Sequence, residues 1–125
     1  MKTVSFANTE IGDDIIVSFY IIGDTGFMSD GYTIMASRCP KYEGLLPAWE
    51  RRPRISNEKE DDGTGDDEFL ELVEYRKKEK SLTISGASSS YKMSLRKLDE
   101  SEIRDVLKGF SRLNYDQTFE ITIIE

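Results

Sequence analysis

The stretch that most constrains this chain is residues 15–22, which are apolar except for Ser18. In a strand, alternate side chains point to opposite faces, and here both faces are apolar. One face carries Ile15, Val17, Phe19 and Ile21, and the other carries Ile16, Tyr20 and Ile22. A strand that is apolar on both sides requires cover on both. The segment therefore predicts a central strand around which the rest of the chain is arranged.

A helix is predicted over about residues 99–113. Asp99 is a favourable N-cap residue, and Glu102, three positions further on, completes a capping-box pattern. Apolar residues then recur at helical spacing, at Ile103, Val106, Leu107, Phe110 and Leu113. Gly109 or Asn114 is expected to end the helix. A helix of this kind has one face to bury, and a sheet offers the surface.

Short alternating segments predict further strands, at residues 2–7, 32–37, 69–76, 82–85, 91–95 and 117–125. Glycine-containing turns between several of them favour antiparallel neighbours. We predict an α+β fold: a mainly antiparallel sheet of about five to seven strands, with the 99–113 helix packed on one face. A chain of 125 residues fits one domain, residues 1–125.

A long polar, mobile loop is predicted at about residues 40–68. Pro40, Pro47 and Pro53 all fall inside it, and its second half is almost wholly polar. A loop of this length is either functional or disordered.

The absence of histidine and the single cysteine, Cys39, exclude several kinds of chemistry. Catalytic triads that use histidine, histidine-based metal sites and an internal disulfide cannot be built. The N-terminus lacks the apolar core of a secretory signal, and no stretch approaches the ~20 apolar residues that span a bilayer. We expect a cytoplasmic protein with no membrane segment, no metal and no cofactor.

The charge balance, 17 basic against 24 acidic residues and a net charge of −7, argues against nucleic-acid binding, which requires clustered Lys and Arg. It favours faster encounter with basic proteins. Two short basic clusters, residues 51–54 and 76–78, are interpreted as compensation of neighbouring acidic charge.

The acidic stretch 58–68 matches a calcium-binding loop only in part. With Gly63 at the sixth position, Phe69 occupies the twelfth, where a bidentate Glu is needed. A solvated loop and a surface for a basic partner both fit the stretch. Trp49 could either pack on its own core or anchor a partner. Our candidate partner-binding residues are Asp61, Asp62, Asp66, Asp67 and Glu68, with Trp49 as anchor.

The order of segments resembles that of immunity protein family ten of bacterial polymorphic toxin systems. The resemblance lies in an N-terminal hairpin with the strand at 15–20, the strands at 32–38, 68–72 and 81–85, and a helix before a last alternating strand. It implies a protein that neutralises a cognate toxin by binding it, and it supplies no catalytic residues.

We therefore predict a non-catalytic binding protein, an immunity protein whose partner is a basic toxin domain, held in a tight and slowly dissociating complex. Two alternatives remain open at this stage. One is a small carboxylate-dependent hydrolase, which requires two carboxylates fixed across a pocket. The other is a self-assembling structural or phage-accessory subunit.

Overall fold

A computed structural model describes residues 2–22, 31–57 and 68–125. Within these residues the chain forms nine strands: β1 (Lys2–Ile11), β2 (Ile15–Ile21), β3 (Tyr32–Arg38), β4 (Arg54–Asn57), β5 (Glu68–Phe69), β6 (Leu72–Arg76), β7 (Ser81–Ser85), β8 (Ser90–Ser94) and β9 (Glu120–Ile124). Helix α1 (Pro40–Glu43) and a turn of 3-10 helix (Ala48–Glu50) lie between β3 and β4, and helix α2 (Glu100–Leu113) precedes β9.

The described strands form one mixed sheet in the order β5-β4-β3-β2-β1-β8-β7-β6-β9. The prediction of an α+β fold is confirmed. The predicted five to seven strands are too few, because β4 forms inside the region predicted as a loop, and the single strand predicted at 69–76 is divided by Leu70 and Glu71 into β5 and β6. The sheet is also mixed rather than mainly antiparallel, because β1 pairs with β8 and β6 with β9 in parallel.

The sheet curls so that its two ends approach each other. Only Leu70 and Glu71 separate β5 from β6 in the chain, although the two strands lie near opposite ends of the strand order. In a flat sheet they would be about 34 Å apart, whereas the connecting residues span at most about 11 Å. Two backbone hydrogen bonds hold the junction: Leu70 N–H donates to Pro53 O at 2.9 Å and Glu71 N–H to Ser85 O at 2.8 Å.

The central strand β2 is buried fully on one face. Ile15, Val17, Phe19 and Ile21 belong to the core, while Ile16, Ser18 and Tyr20 on the other face are half-buried. The cover that we expected on both sides is therefore complete on one side only. On the outer face the ring of Phe6 stacks on that of Tyr20, with 5.1 Å between centroids.

Helix α2 packs on the core side of β1 and β2. Its start is the predicted capping box: Asp99 Oδ1 accepts from Glu102 N–H at 2.8 Å, and Glu102 Oε1 accepts from Asp99 N–H. The helix continues through Gly109 and ends at Leu113, with Asn114 as C-cap. The ring of buried Phe110 stacks on Phe19 at 6.1 Å.

Candidate functional site

Arg38 is a buried charge at the end of β3. The residues of β3 that face the core are Tyr32, Ile34, Ala36 and Arg38, because side chains two apart share a face. The last of these positions is occupied by an arginine that is only 5% exposed. A buried cation is costly unless its charge and its hydrogen-bond donors are all matched.

Every N–H group of the Arg38 guanidinium has an acceptor. Nε donates to both carboxylate oxygens of Glu43 at 3.0 Å. Nη1 and Nη2 donate to the two oxygens of Asp116 at 2.7 and 2.8 Å, a bidentate pair. The remaining two donors reach the backbone oxygens of Leu113 at 3.0 Å and Arg51 at 2.7 Å.

Tyr115 completes this cluster. Its ring centre lies 4.3 Å from Arg38 Cζ, and its hydroxyl donates to Glu43 Oε1 at 3.0 Å. Burial and the bond to Glu43 raise the pKa of the Tyr115 hydroxyl. Burial alone would lower the pKa of Arg38, but hydrogen bonds to Asp116 and Glu43 outweigh it and raise that pKa. The guanidinium is therefore charged at every physiological pH.

The Arg38 cluster, consisting of Arg38, Glu43, Tyr115 and Asp116, joins five parts of the chain. These are β3, α1, the residue Arg51 before β4, the last turn of α2 and the turn that follows it. Because α1 and Arg51 are both bound, the connection from β3 to β4 is attached to the sheet at two points. The consequence is a connection held against the sheet within the region that the sequence predicts as a loop.

The segment held in this way exposes large apolar side chains. Tyr42 is 57% exposed, Leu45 84% and Trp49 66%, and Leu46 is also exposed. We call these four residues the apolar segment. Soluble proteins seldom expose neighbouring apolar residues of this size unless the surface binds something.

A cavity of about 560 Å³ lies between the apolar segment and the outer face of the sheet. Its floor is a row of residues paired across three strands, Ile16 of β2, Ser37 of β3 and Arg54 of β4. Leu45, Leu46 and Arg52 form part of its wall. Three carboxylates also line it, those of Asp14, Glu43 and Glu50, and Glu43 is committed to Arg38 and Tyr115.

An aromatic group lies beside the cavity. The guanidinium carbons of Arg52 and Arg54 each lie 4.8 Å from the ring centre of Phe69. Trp49 meets the same ring edge-on at 6.5 Å. Trp49 therefore contacts the protein's own surface but is not part of the core, and its role as a partner anchor stays a prediction.

Glu68 has an internal role in the structure. Its Oε1 accepts hydrogen bonds from the backbone N–H and the hydroxyl of Ser88, in the turn between β7 and β8. The hydroxyl bond is the main cause of the lowered pKa of the Glu68 carboxyl. Glu68 and Phe69 point to opposite faces of β5, so Glu68 and Trp49 do not share a surface. The other candidates, Asp61, Asp62, Asp66 and Asp67, lie outside the described residues.

Arg38, Arg52 and Arg54 were missed as site residues. For Arg38 a signal existed, because the alternation of β3 continues through it on the core face. Residues 51–54 were interpreted as compensating acidic neighbours. Most of those acidic neighbours lie outside the described residues, so that interpretation stays a prediction; in the described ranges neither Arg52 nor Arg54 takes part in an ion pair.

Searches of the described residues find no group of three or more Cys, Asp and Glu side chains placed to hold a metal ion. They also find no helix with the length and hydrophobicity needed to cross a membrane. No protein-family model matches the sequence, and no curated protein or solved structure was found to be significantly similar to it.

The Arg38 cluster predicts how stability depends on pH. Hydrogen bonds from Arg38 hold the pKa of Asp116 below its usual value of about 3.9. The ionised carboxylate therefore stabilises the fold above that value, and the contribution is lost as the pH falls through the lower, folded-state pKa. We expect Asp116→Asn to lower the free energy of unfolding by about 1 kcal/mol at pH 7 and by less near pH 3, since the site is partly exposed.

Urea unfolding of both proteins across this pH range measures the difference. Asp105→Asn, on the exposed side of α2, is the matched control and should show little difference at either pH. If Asp116→Asn lowers the free energy of unfolding by the same amount at pH 7 and pH 3, the ionised carboxylate of Asp116 does not stabilise the fold as described.

Proposed function

We propose that this chain is a non-catalytic protein that binds another protein through the apolar segment. The observation that carries the proposal is the exposure of Tyr42, Leu45 and Trp49 on a connection fixed by the Arg38 cluster. Trp and Tyr are the residue types that most often dominate the energy of protein interfaces. A surface that is already ordered also loses less conformational entropy on binding.

The magnitudes favour a useful affinity. Burying a leucine-sized side chain contributes about 1.5–3 kcal/mol, so covering Leu45 and Trp49 together would contribute several kcal/mol. Each 1.4 kcal/mol is about tenfold in affinity. While Leu45 and Trp49 are exposed, most of their apolar surface adds nothing to the folding free energy of the isolated chain. This is what we expect of side chains that are buried only when a partner binds.

The immunity role is the particular form of this proposal. It is supported by the resemblance in segment order to immunity protein family ten, and by a net charge of −7 that favours encounter with a basic toxin domain. Inhibition would follow from occupancy alone: a slowly dissociating complex keeps the active surface of the toxin covered.

Co-expression tests this form directly. Where a gene beside that of this chain encodes a secreted protein with a variable C-terminal domain, that domain is produced in a bacterial host together with the wild-type chain or a variant. We expect the wild-type chain to restore growth and Leu45→Asp/Trp49→Asp to fail, with affinity reduced by about 100-fold or more in calorimetry.

Ile123→Asp/Ile124→Asp is the matched control, because it also places two carboxylates at exposed apolar positions, in β9, which pairs with β6 at the opposite end of the strand order from β4. It should restore growth as the wild-type chain does. Full protection by Leu45→Asp/Trp49→Asp would eliminate the apolar segment as the binding surface. If no such neighbouring domain inhibits growth, the immunity form is wrong.

A further inference from the structure

Arg52 and Arg54 lie beside the apolar segment and have no counter-ion among the described residues. Arg52 and Arg54 both stack on Phe69 at 4.8 Å, so their guanidinium carbons are no further apart than twice that distance. Within residues 2–22, 31–57 and 68–125, neither forms an ion pair. Arg52 Nε is also buried without a hydrogen-bond acceptor in this part of the chain. In an acidic protein, two guanidinium groups held together without a carboxylate partner in the described part of the chain require an explanation.

Phe69 accounts for their position. Arg54 is the register partner of Phe69 across β4 and β5, so its side chain lies beside that ring on the outer face of the sheet. Cation–π contact orients both guanidinium groups, but an aromatic ring does not neutralise their charge. The pair is therefore held in place, and within the described ranges Arg52 Nε has no acceptor.

We propose that Arg52 and Arg54 bind a carboxylate of the partner, and that the partner segment presents an Asp or Glu next to a large apolar side chain. This inference rests on the proposed function. The guanidinium fork matches the planar geometry of a carboxylate. The apolar neighbour would enter the cavity next to Ile16, Leu45 and Leu46, and about 560 Å³ is within the size range of protein ligand sites.

Local charge favours a single carboxylate over a polyanion. Asp14 and Glu50 line the same cavity as the two arginines, so the charge around it is nearly balanced. A nucleic-acid backbone would meet these carboxylates and the net charge of −7, both of which repel it. Overall charge acts at long range during encounter. At contact, within a Debye length of about 8 Å, the Arg52 and Arg54 charges decide what is bound.

Selection from a displayed library of random peptides, with the full chain as target, tests the inference. We expect enrichment of peptides that place Asp or Glu next to Leu, Ile, Met or Phe. Enriched peptides are resynthesised without tryptophan, so that Trp49, the single tryptophan, reports binding by fluorescence. Arg52→Gln/Arg54→Gln should weaken binding about tenfold or more. Replacing the peptide's Glu by Gln should weaken it similarly, and the two losses should not add.

Arg104→Gln/Arg112→Gln removes the same charge from exposed positions of α2 and is the matched control. Its binding should stay within about twofold of wild type. Arg52→Lys/Arg54→Lys retains the charge but not the planar, forked guanidinium group, so its affinity for the peptide should fall less than that of the Gln variant. The Lys variant takes the place of the Gln variant if the latter fails to fold.

Three outcomes overturn the inference. Peptides whose binding depends on Leu45 and Trp49 but not on Arg52 and Arg54 overturn it and leave the proposed function standing. Tighter binding of phosphorylated peptides or of an oligonucleotide than of carboxylate peptides also overturns it. A selection that yields no peptide dependent on either set of residues counts against the inference and the proposed function together.

Discussion

Arg38→Met is expected to lower the free energy of unfolding by about 3–5 kcal/mol, because it removes the only cation that balances a buried carboxylate within the Arg38 cluster. Glu43 is 7% exposed and receives Arg38 Nε on both of its oxygens. The substitution would also leave the backbone oxygens of Arg51 and Leu113 without this donor. Methionine preserves most of the volume, so the effect reports on charge and hydrogen bonding more than on packing.

Unfolding in guanidinium chloride measures the free energy of unfolding. In thermal unfolding, the midpoint temperature of the Arg38→Met variant should fall by roughly 10–20 °C. Arg104→Met is the control, because Arg104 is exposed on α2 and methionine has nearly the same helix propensity. It should change stability by less than about 0.5 kcal/mol. A loss below about 1 kcal/mol for Arg38→Met would mean that the cluster does not hold the connection from β3 to β4.

The double variant Arg38→Met/Glu43→Leu separates charge from packing. If the main cost is an unpaired buried carboxylate, removing that carboxylate as well should recover about 1–3 kcal/mol. The same variant should change the fluorescence of Trp49, since Arg51, which Arg38 also holds, directly follows the 3-10 turn that carries Trp49.

The elements that could be predicted are those whose stability is local. The nearly continuous apolar run at residues 15–22 identified β2, because a run of apolar residues as long as a strand is visible in the sequence itself. The capping residues Asp99 and Glu102 identified the start of α2 because both partners lie within one helical turn. In each case, the residues that determine the structure are close together in the chain.

The parts of the sheet that could not be predicted depend on distant partners. In β4, Ile55 is the one residue in the core, so its own pattern is too short to indicate a strand. It exists because β3 pairs with it. The parallel pairs are likewise non-local, since Lys2 of β1 pairs with Met93 of β8, 91 positions away, and Leu72 of β6 with Glu120 of β9, 48 positions away. Hydrophobic period predicts that a strand forms but does not determine its neighbours.

The same limit applies to the candidate site. From the sequence alone, an arginine at the end of a strand is interpreted as a solvated residue. Arg38 is buried instead because it contacts Leu113 and Asp116, which are 75 and 78 positions away. Arg52 and Arg54 resembled ordinary surface charge for the same reason. Trp49 could be singled out because a lone tryptophan is informative without knowledge of its neighbours.

Gly109→Ala is expected to destabilise the protein by about 1–2 kcal/mol, although the same substitution inside a helix usually stabilises by up to about 1 kcal/mol. A Cβ at Gly109 would lie 2.5 Å from Val17 Cγ2 and 2.8 Å from Thr9 Cγ2, at the contact of α2 with β2 and β1. Both separations are shorter than van der Waals contact, so α2 must move away from the sheet or the two side chains must leave their positions. Urea unfolding measures the change.

Ser111→Ala, on the exposed face of the same helix, is the matched control and should be neutral or slightly stabilising, because alanine is the better helix former. The two substitutions create the same residue two positions apart, so opposite signs would isolate packing from helix propensity. Adding Val17→Ala to Gly109→Ala should cost less than the sum of the separate effects, since the smaller side chain gives the new methyl group room. Equal stabilisation by both helix substitutions would mean that α2 does not lie as close to β2 as described, and the burial of the core face of β2 would need another explanation.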